Sequence, residues 1–460
     1  MDQLIVIRDP GQPPHRRKIL ARSKRSIQNS RCPHEKKDHG NYCASLFFHN
    51  FVAIIQIESS FGLRCKATNN RDTTKRSHKI LIHIRMAGIY IHIPFCKSKC
   101  YYCDFYSCTL LAKKQELLTA VGDELDCRAD FLQGETIETI YIGGGTPSLC
   151  TPTEIGTLLE KICRRYPCVS LKEITVEANP DDLTFDYLRD LRATGVNRLS
   201  IGVQSFIDRD LRWMHRRHDA TSAIRAIDNA HTAGFDNLTI DLIYGIPQMS
   251  LDEWVYNLRQ AFELDITHLS AYHLTLEEGT VFGRWLRSGK LHEIDSESSR
   301  SAYLLLHDMA TEAGFEHYEI SNFARPGFRA RHNSSYWDGT HYLGVGPSAH
   351  SYDGIQRTWN RADLRQYLLL EPHNRHFDSE TLSDRDLYNE FIMTSLRRIE
   401  GVDAEILEHR FGARKLHYFT QRAQKFIDEG LLMRQQNMFY IPAIHYLISD
   451  SIISDLFDVI

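Results

Sequence analysis

Between Gly88 and Leu274 the chain alternates short β-type runs with longer helical periods, and nothing else in the sequence restricts its fold as strongly. Residues 88–93, 139–142, 173–178, 198–203, 237–243 and 268–274 read as strands. Residues 110–131, 152–166, 183–194, 221–233 and 251–264 read as helices, two of them stopped by Gly195 and Gly234. Strands that are apolar almost throughout, each followed by a helix, specify a parallel sheet covered by helices in right-handed connection. Six such units make most of a barrel, so the expected class is α/β with a partial (β/α)6 barrel. Ligands of such sheets sit at the carboxyl ends of the strands.

The first strand delivers the chain into Cys96-Lys-Ser-Lys-Cys100-Tyr-Tyr-Cys103. Thiolates are soft ligands, and three of them at C-x3-C-x2-C spacing wrap one face of an iron–sulfur cube while leaving one iron without a protein ligand. Zinc sites and ferredoxin-type clusters show a fourth Cys or His at short regular spacing, whereas Cys108 lies off that pattern. Three ligands suit a cluster that also binds a substrate or cofactor. Eleven cysteines with no secretory signal fit a reducing compartment, and the protein is expected in the cytoplasm.

The other candidate residues fall at strand ends with a common phase. Gly143-Gly144-Gly145-Thr146-Pro147 follows the second strand, Glu177-Ala-Asn179-Pro180 the third, and Gln204-Ser205 the fourth, while Asp241 ends the fifth. Consecutive glycines admit a ligand against the backbone, although a plain tight turn reads the same way. The Lys of a P-loop and the G-x-G-x-x-G of a dinucleotide site are absent. Single polar residues at strand ends are commonly helix caps, but successive ones offer acceptors for ribose hydroxyls and amino groups. Arg216, within His215-Arg-Arg-His218, is either a solvated basic turn or a bidentate partner for a carboxylate.

Charge divides the chain at Met86. Lys and Arg stand 17 against 6 Asp and Glu in residues 1–85, net +11, and 38 against 53 in residues 86–460, net −15. Residues 1–85 show no sustained period. A basic targeting or nucleic-acid arm and a small separate domain are alternatives, and a non-native or disordered basic extension is the favoured expectation. No apolar run reaches the roughly 18 residues of a membrane span.

Taken in order, Tyr90-x-His-x-Pro-Phe95 before the C-x3-C-x2-C loop, Gly-Gly-Gly-Thr-Pro, Glu-Ala-Asn-Pro, Gly202-Val-Gln-Ser205 and Asp241-Leu-Ile-Tyr-Gly-Ile-Pro247 resemble the radical S-adenosylmethionine (SAM) superfamily in its HemN/HemW branch. The resemblance covers essentially all of residues 86–460. It implies a [4Fe–4S] cluster on Cys96, Cys100 and Cys103, whose open iron chelates SAM, and SAM cleavage to a 5′-deoxyadenosyl radical when an electron donor supplies the cluster. By the same resemblance Tyr90, Tyr102, Gly144 and Glu177 line the first SAM position. Gly145, Thr146, Gln204, Arg216 and Asp241 match the position of a second SAM in coproporphyrinogen-oxidising relatives.

That branch contains two functions, a heme chaperone that passes heme to an acceptor protein and an oxygen-independent coproporphyrinogen III dehydrogenase. The oxidising relatives carry a further Cys two residues after the third ligand, where this chain has Phe105. Arg331-His332-Asn-Ser-Ser-Tyr336-Trp337 resembles the H-N-x-x-Y-W motif of the heme chaperones. The resemblance therefore favours the chaperone, with heme as a partner and His332 as its ligand, although a hydrogen-bonded structural histidine is the usual alternative. His350, in a Gly-rich turn, is a second candidate imidazole.

The expected organisation is a core barrel over 86–330, a heme-motif region and linker over 331–380, and a small, mostly helical C-terminal domain over 381–460. In the last, 384–397, 403–411 and 414–429 read as helices, followed by a hairpin through Pro442 and a helix over 447–457, a winged-helix-like pattern. With 9 Lys and Arg against 12 Asp and Glu it has no cationic face for phosphate, so a cover for the barrel or a protein-docking surface is expected, with no nucleic-acid partner.

Overall fold

The structure, a computed structural model, describes residues 86–371 and 377–459. The expected extension over 1–85 lies outside the described residues. Strand β1 (Met86–Ile93) is followed by α1 (Lys114–Cys127), β2 (Thr136–Gly144), α2 (Pro152–Arg165), β3 (Glu173–Ala178), α3 (Phe185–Ala193) and β4 (Arg198–Gln204). Then come α4 (Asp208–Trp213), α5 (Ala220–Thr232), β5 (Leu238–Tyr244), α6 (Leu251–Glu263) and β6 (His268–His273). The six strands pair in sequence order and in parallel, as the β/α alternation requires.

Local signals set the helix ends. Thr151 with Glu154 and Ser250 with Glu253 form reciprocal capping boxes at the starts of α2 and α6. The helix expected over 110–131 is shorter than its apolar period, because a tight turn over Leu111–Lys113 precedes it. At its other end the Arg128 guanidinium turns to the Phe131 ring and donates to the Gly344 carbonyl at 3.1 Å.

On β1, Ile89, Ile91 and Ile93 are fully buried in the main apolar core. Gly88, Tyr90 and His92 face the other way, toward polar groups that form the barrel interior. Period 2 in the strands thus separates a dry outer layer from a chemically furnished inner one.

Beyond β6 the structure goes further than the sequence reading. After α7 (Val281–Arg287) and α8 (Ser296–Glu312), strands β7 (Glu316–His317) and β8 (Asn322–Ala324) add antiparallel to β6. Helix α9 (Arg331–Tyr336) follows. Residues expected to be a motif region and linker then form β9 (His341–Val345), β10 (His350–Tyr352), β11 (Gln356–Trp359), helix α10 (Leu364–Leu369) and β12 (Asp378–Thr381). Strand β9 pairs in parallel with the free edge of β1, so twelve described strands form one sheet in the order β12-β11-β10-β9-β1-β2-β3-β4-β5-β6-β8-β7.

The C-terminal residues form α11 (Asp384–Leu396), β13 (Val402–Asp403), α12 (Ala404–Phe411), α13 (Ala413–Asp428), β14 (Met433–Gln435), β15 (Met438–Tyr440) and α14 (Ser449–Asp455). The last helix is thus shorter than expected, since Ala443–Ile448 is a tighter 3-10 turn. Three helices with a small β13-β15-β14 sheet reproduce the winged-helix-like pattern. This part is anchored to the barrel by Tyr303, which donates to the Ala443 carbonyl at 2.6 Å, and by the Arg398–Asp338 ion pair. No helix among the described residues is long and apolar enough to cross a membrane.

Candidate functional site

The cysteine loop is closed at its base by two backbone bonds: Cys96 N–H donates to the Cys108 carbonyl at 2.9 Å and Cys108 N–H to Pro94 at 2.8 Å. Its apex is held from the opposite side of the barrel. Tyr101 N–H donates to Met214, its ring stacks on His215 at 4.5 Å, and its carbonyl accepts from Phe282 N–H. Lys97 adds an ion pair to Asp182, which also accepts from Ser148. The loop is therefore fixed at both ends, and the three thiols between them are preorganised.

Two of the sulfurs accept hydrogen bonds, Cys96 Sγ from Thr146 Oγ1 at 3.5 Å and Cys100 Sγ from Arg216 Nη1 at 3.4 Å. Burial, reinforced by the neighbouring sulfurs, pushes the Cys96 thiol up and the Cys103 thiol to about 12. No group of three His, Cys, Asp or Glu among the described residues converges on one metal ion. Thiols that each meet a different iron of a cube need no such convergence. The donor set and its hydrogen bonds thus fit a cluster better than a single ion.

The Gly-rich turn lies against this loop. Gly144 has φ of +116° and a Cβ there would stand 2.7 Å from the His92 ring; a Cβ on Gly145 would stand 2.7 Å from the Pro94 backbone. Gly145 N–H donates to the Ile93 carbonyl at 2.8 Å, so Gly145 acts as a joint between strand ends. Gly144 N–H donates to Glu177 Oε2 at 2.9 Å and the Tyr141 hydroxyl to Oε1 at 2.7 Å. Burial raises the Glu177 carboxyl, while these two donors favour its anion.

Arg216 spans the gap between cluster loop and sheet. Its Nη2 donates to Asn179 Oδ1 at 2.7 Å and to the Gly202 carbonyl at 2.6 Å, and its buried Nε has no partner in the structure. A buried guanidinium with a donor left over suits an anionic ligand beside the cluster. Asn179 Nδ2 reaches Thr146 Oγ1 at 3.4 Å, completing a chain from Cys96 to Cys100. Gln204 has φ of +68° at the point where the β4–β5 register shifts, and its buried side chain lies under Gly202. Burial and then the Glu177 charge raise the Asp241 carboxyl to about 7; Ser200 donates to it at 3.4 Å. Half-buried Tyr102 lies among Arg216, Cys100, Cys103 and Asp241, and burial holds its phenol protonated.

Tyr90 lies one step away, its hydroxyl bonded to His92 Nδ1 at 2.9 Å and its ring stacked on Tyr141 at 6.1 Å. Tyr141 and Asn179 complete the site, and Tyr141 is not among the residues singled out from the sequence. Its place two residues before the Gly-rich turn, in phase with Gly143, was the available signal.

His332 is elsewhere. It is fully buried (0% exposed) at the opposite end of the interior, with Nδ1 2.8 Å from Thr139 Oγ1 and Nε2 2.5 Å from the Tyr336 hydroxyl. Its backbone N–H and that of Arg331 donate to buried Glu173, which caps α9 and seats it as a plug. Both ring nitrogens of His332 are thus held by hydroxyls, the arrangement of a hydrogen-bonded structural histidine. His350 stands at the mouth instead, stacked on Trp359 at 5.7 Å.

Known proteins agree with this architecture. The radical SAM superfamily matches residues 90–261 and the HemN C-terminal domain residues 382–442. Heme chaperone HemW of Lactococcus lactis is 33% identical over 352 residues, 76% of this chain and 92% of that protein. Heme chaperone HemW of Escherichia coli is 37% identical over 329 residues, 70% and 85% of the two chains. The solved coproporphyrinogen III oxidase HemN of Escherichia coli, a radical SAM enzyme, superposes with a TM-score of 0.72 at 24% identity, covering 82% of this chain and 91% of that one, a likeness of fold. With site and fold in agreement, the chain belongs to the radical SAM superfamily and, within it, to the HemW family.

Proposed function

We propose that this protein is a heme chaperone, which binds heme and delivers it to an acceptor protein while holding a [4Fe–4S] cluster on Cys96, Cys100 and Cys103 with SAM beside it. The observation that carries the reading is the similarity to proteins named as heme chaperones, one of them matched over 92% of its length. Phe105 supports it. The side chain is 52% exposed on the cluster loop, at the position where the oxidising relatives resembled by this chain have a further Cys.

When bound, cluster and SAM supply one-electron chemistry. The chain's own residues do the rest. Arg216 sets a fixed positive charge beside the Cys100 sulfur and keeps Nε for a carboxylate. Glu177, steadied by Tyr141 and the Gly144 amide, accepts from amino or hydroxyl groups. Asp241, near 7, either donates or accepts at neutral pH. Tyr101, Phe282 and Trp285 pack edge to face and exclude water from one flank of the loop.

The test is anaerobic reconstitution of the full chain, followed by heme titration and an assay for coproporphyrinogen loss. Saturable heme binding with no sustained turnover is expected. Decarboxylation of coproporphyrinogen over many turnovers would replace the chaperone with the dehydrogenase.

A further inference from the structure

Building on the heme-chaperone reading, we propose that His350 supplies the nitrogen that binds heme iron, and that the macrocycle is received at the barrel mouth between the β10–β11 hairpin and the segment after Cys103. An axial imidazole must be neutral, with a nitrogen neither hydrogen-bonded nor enclosed. Several imidazoles of the barrel interior fail this. His92 is committed twice: Nε2–H donates to the Tyr106 carbonyl at 3.0 Å, leaving Nδ1 to accept from the Tyr90 hydroxyl. His332 is committed twice as well, and fully buried His268 is bonded to the Tyr318 hydroxyl at 2.7 Å.

His350 passes. Among the described residues no hydrogen bond reaches its ring; Nδ1 is buried and without a partner, which leaves Nε2 as the nitrogen open to solvent. Burial, with the Arg357 and His92 charges adding to it, lowers its pKa to about 4, so the ring is neutral at physiological pH. Its backbone crosses at Gly344, which is level with Tyr90 of β1 at the chemical end of the barrel. The cross-strand neighbour Trp359 lies nearly parallel to the ring, 25° between planes, and fixes its orientation.

The surroundings suit a flat, apolar ligand. Phe105 and Leu110 are each 52% exposed and Leu111 is 37% exposed, large apolar side chains in the segment directly following the cysteines. This segment is fastened toward the His350 side by the His92–Tyr106 bond, with the Tyr106 ring 6.2 Å from the His92 ring. Trp359 and these side chains would cover the porphyrin while His350 Nε2 meets the iron.

The experiment is heme titration of the full chain with Soret absorbance and electron paramagnetic resonance, for the parent, His350→Gly, His350→Gln and His332→Gln. The expected result is a changed iron spectrum and an affinity weakened about tenfold or more in both His350 variants, with the parent spectrum kept in His332→Gln. Added imidazole should restore the parent spectrum in His350→Gly, which a merely structural role would not permit. An unchanged spectrum in a folded His350→Gln protein overturns the assignment while leaving the chaperone reading intact. A parent chain that binds no heme overturns both.

Discussion

His332 and His350 belong to the same barrel interior and differ in what is left over. At the floor, His332 is closed on both nitrogens by Thr139 and Tyr336, and Glu173 absorbs the N-terminal amides of the helix that carries it. At the mouth, His350 Nε2 and Arg216 Nε are left without a hydrogen bond among the described residues. Closed polar groups fix a structure, whereas open ones are a debt that a ligand settles. The two histidines therefore differ in the lone pairs that the fold leaves unused.

The largest effect that separates the two ends is expected from Cys100→Ser. It should reduce reconstituted iron to background and remove the broad cluster absorbance, while the unfolding free energy of the apo chain moves by less than about 0.5 kcal/mol. A comparable loss of apo stability would mean that the mouth is structural too. His332→Ala should show the reverse: about 3 kcal/mol lost in a denaturant melt, from a cavity and two stranded hydrogen-bond partners, with cluster content retained. Retained stability would remove the plug role assigned to α9.

Next in size is a pH effect at the joint between barrel and C-terminal helices. Buried Glu319 forms a backbone bridge with Arg398, and burial raises its carboxyl from 4.5 to about 7. A raised folded pKa means that the native state holds the proton more tightly. Its stabilisation is full below pH 4.5 and is lost as pH rises through about 7. Glu319→Gln should therefore flatten the fall in apo stability between pH 5 and 8 by about 2 kcal/mol, and equal slopes for variant and parent would contradict the burial argument. The smallest effect links the two ends. The His332 ring stacks on Tyr141 at 5.1 Å, and the Tyr141 hydroxyl holds Glu177. Tyr141→Phe should weaken SAM binding by about fivefold, roughly 1 kcal/mol, in calorimetry of the reconstituted protein.

Much of this was legible because the signals were local. The thiol spacing is fixed by covalent geometry, and the βα period by the alternation of apolar strands with amphipathic helices. Glu177 could be placed because it stands next to the end of β3; Asp241, expected to end its strand, lies in the middle of β5 and reaches the site from the inward face. The region from Ala330 to Thr381 was less legible, since α9 is too short to display a helical period and β9 is followed by Gly346-Pro347. Strand β9 exists through long-range pairing with β1, and β10, β11 and β12 are added to it in turn. Whether His332 or His350 had the free nitrogen depended on Thr139, some 190 residues upstream of His332, and no periodicity reports that.

That pairing has a consequence for how the protein is made. In the register Ala87↔His341 to Ile91↔Val345, one edge of β1 stays vacant until about 250 further residues have been synthesised. The cluster thiols are therefore synthesised early and sheltered late. Over that interval they belong to a nascent chain whose first strand has only β2 beside it, and oxidants, or an iron–sulfur donor, then have their freest access to Cys96, Cys100 and Cys103.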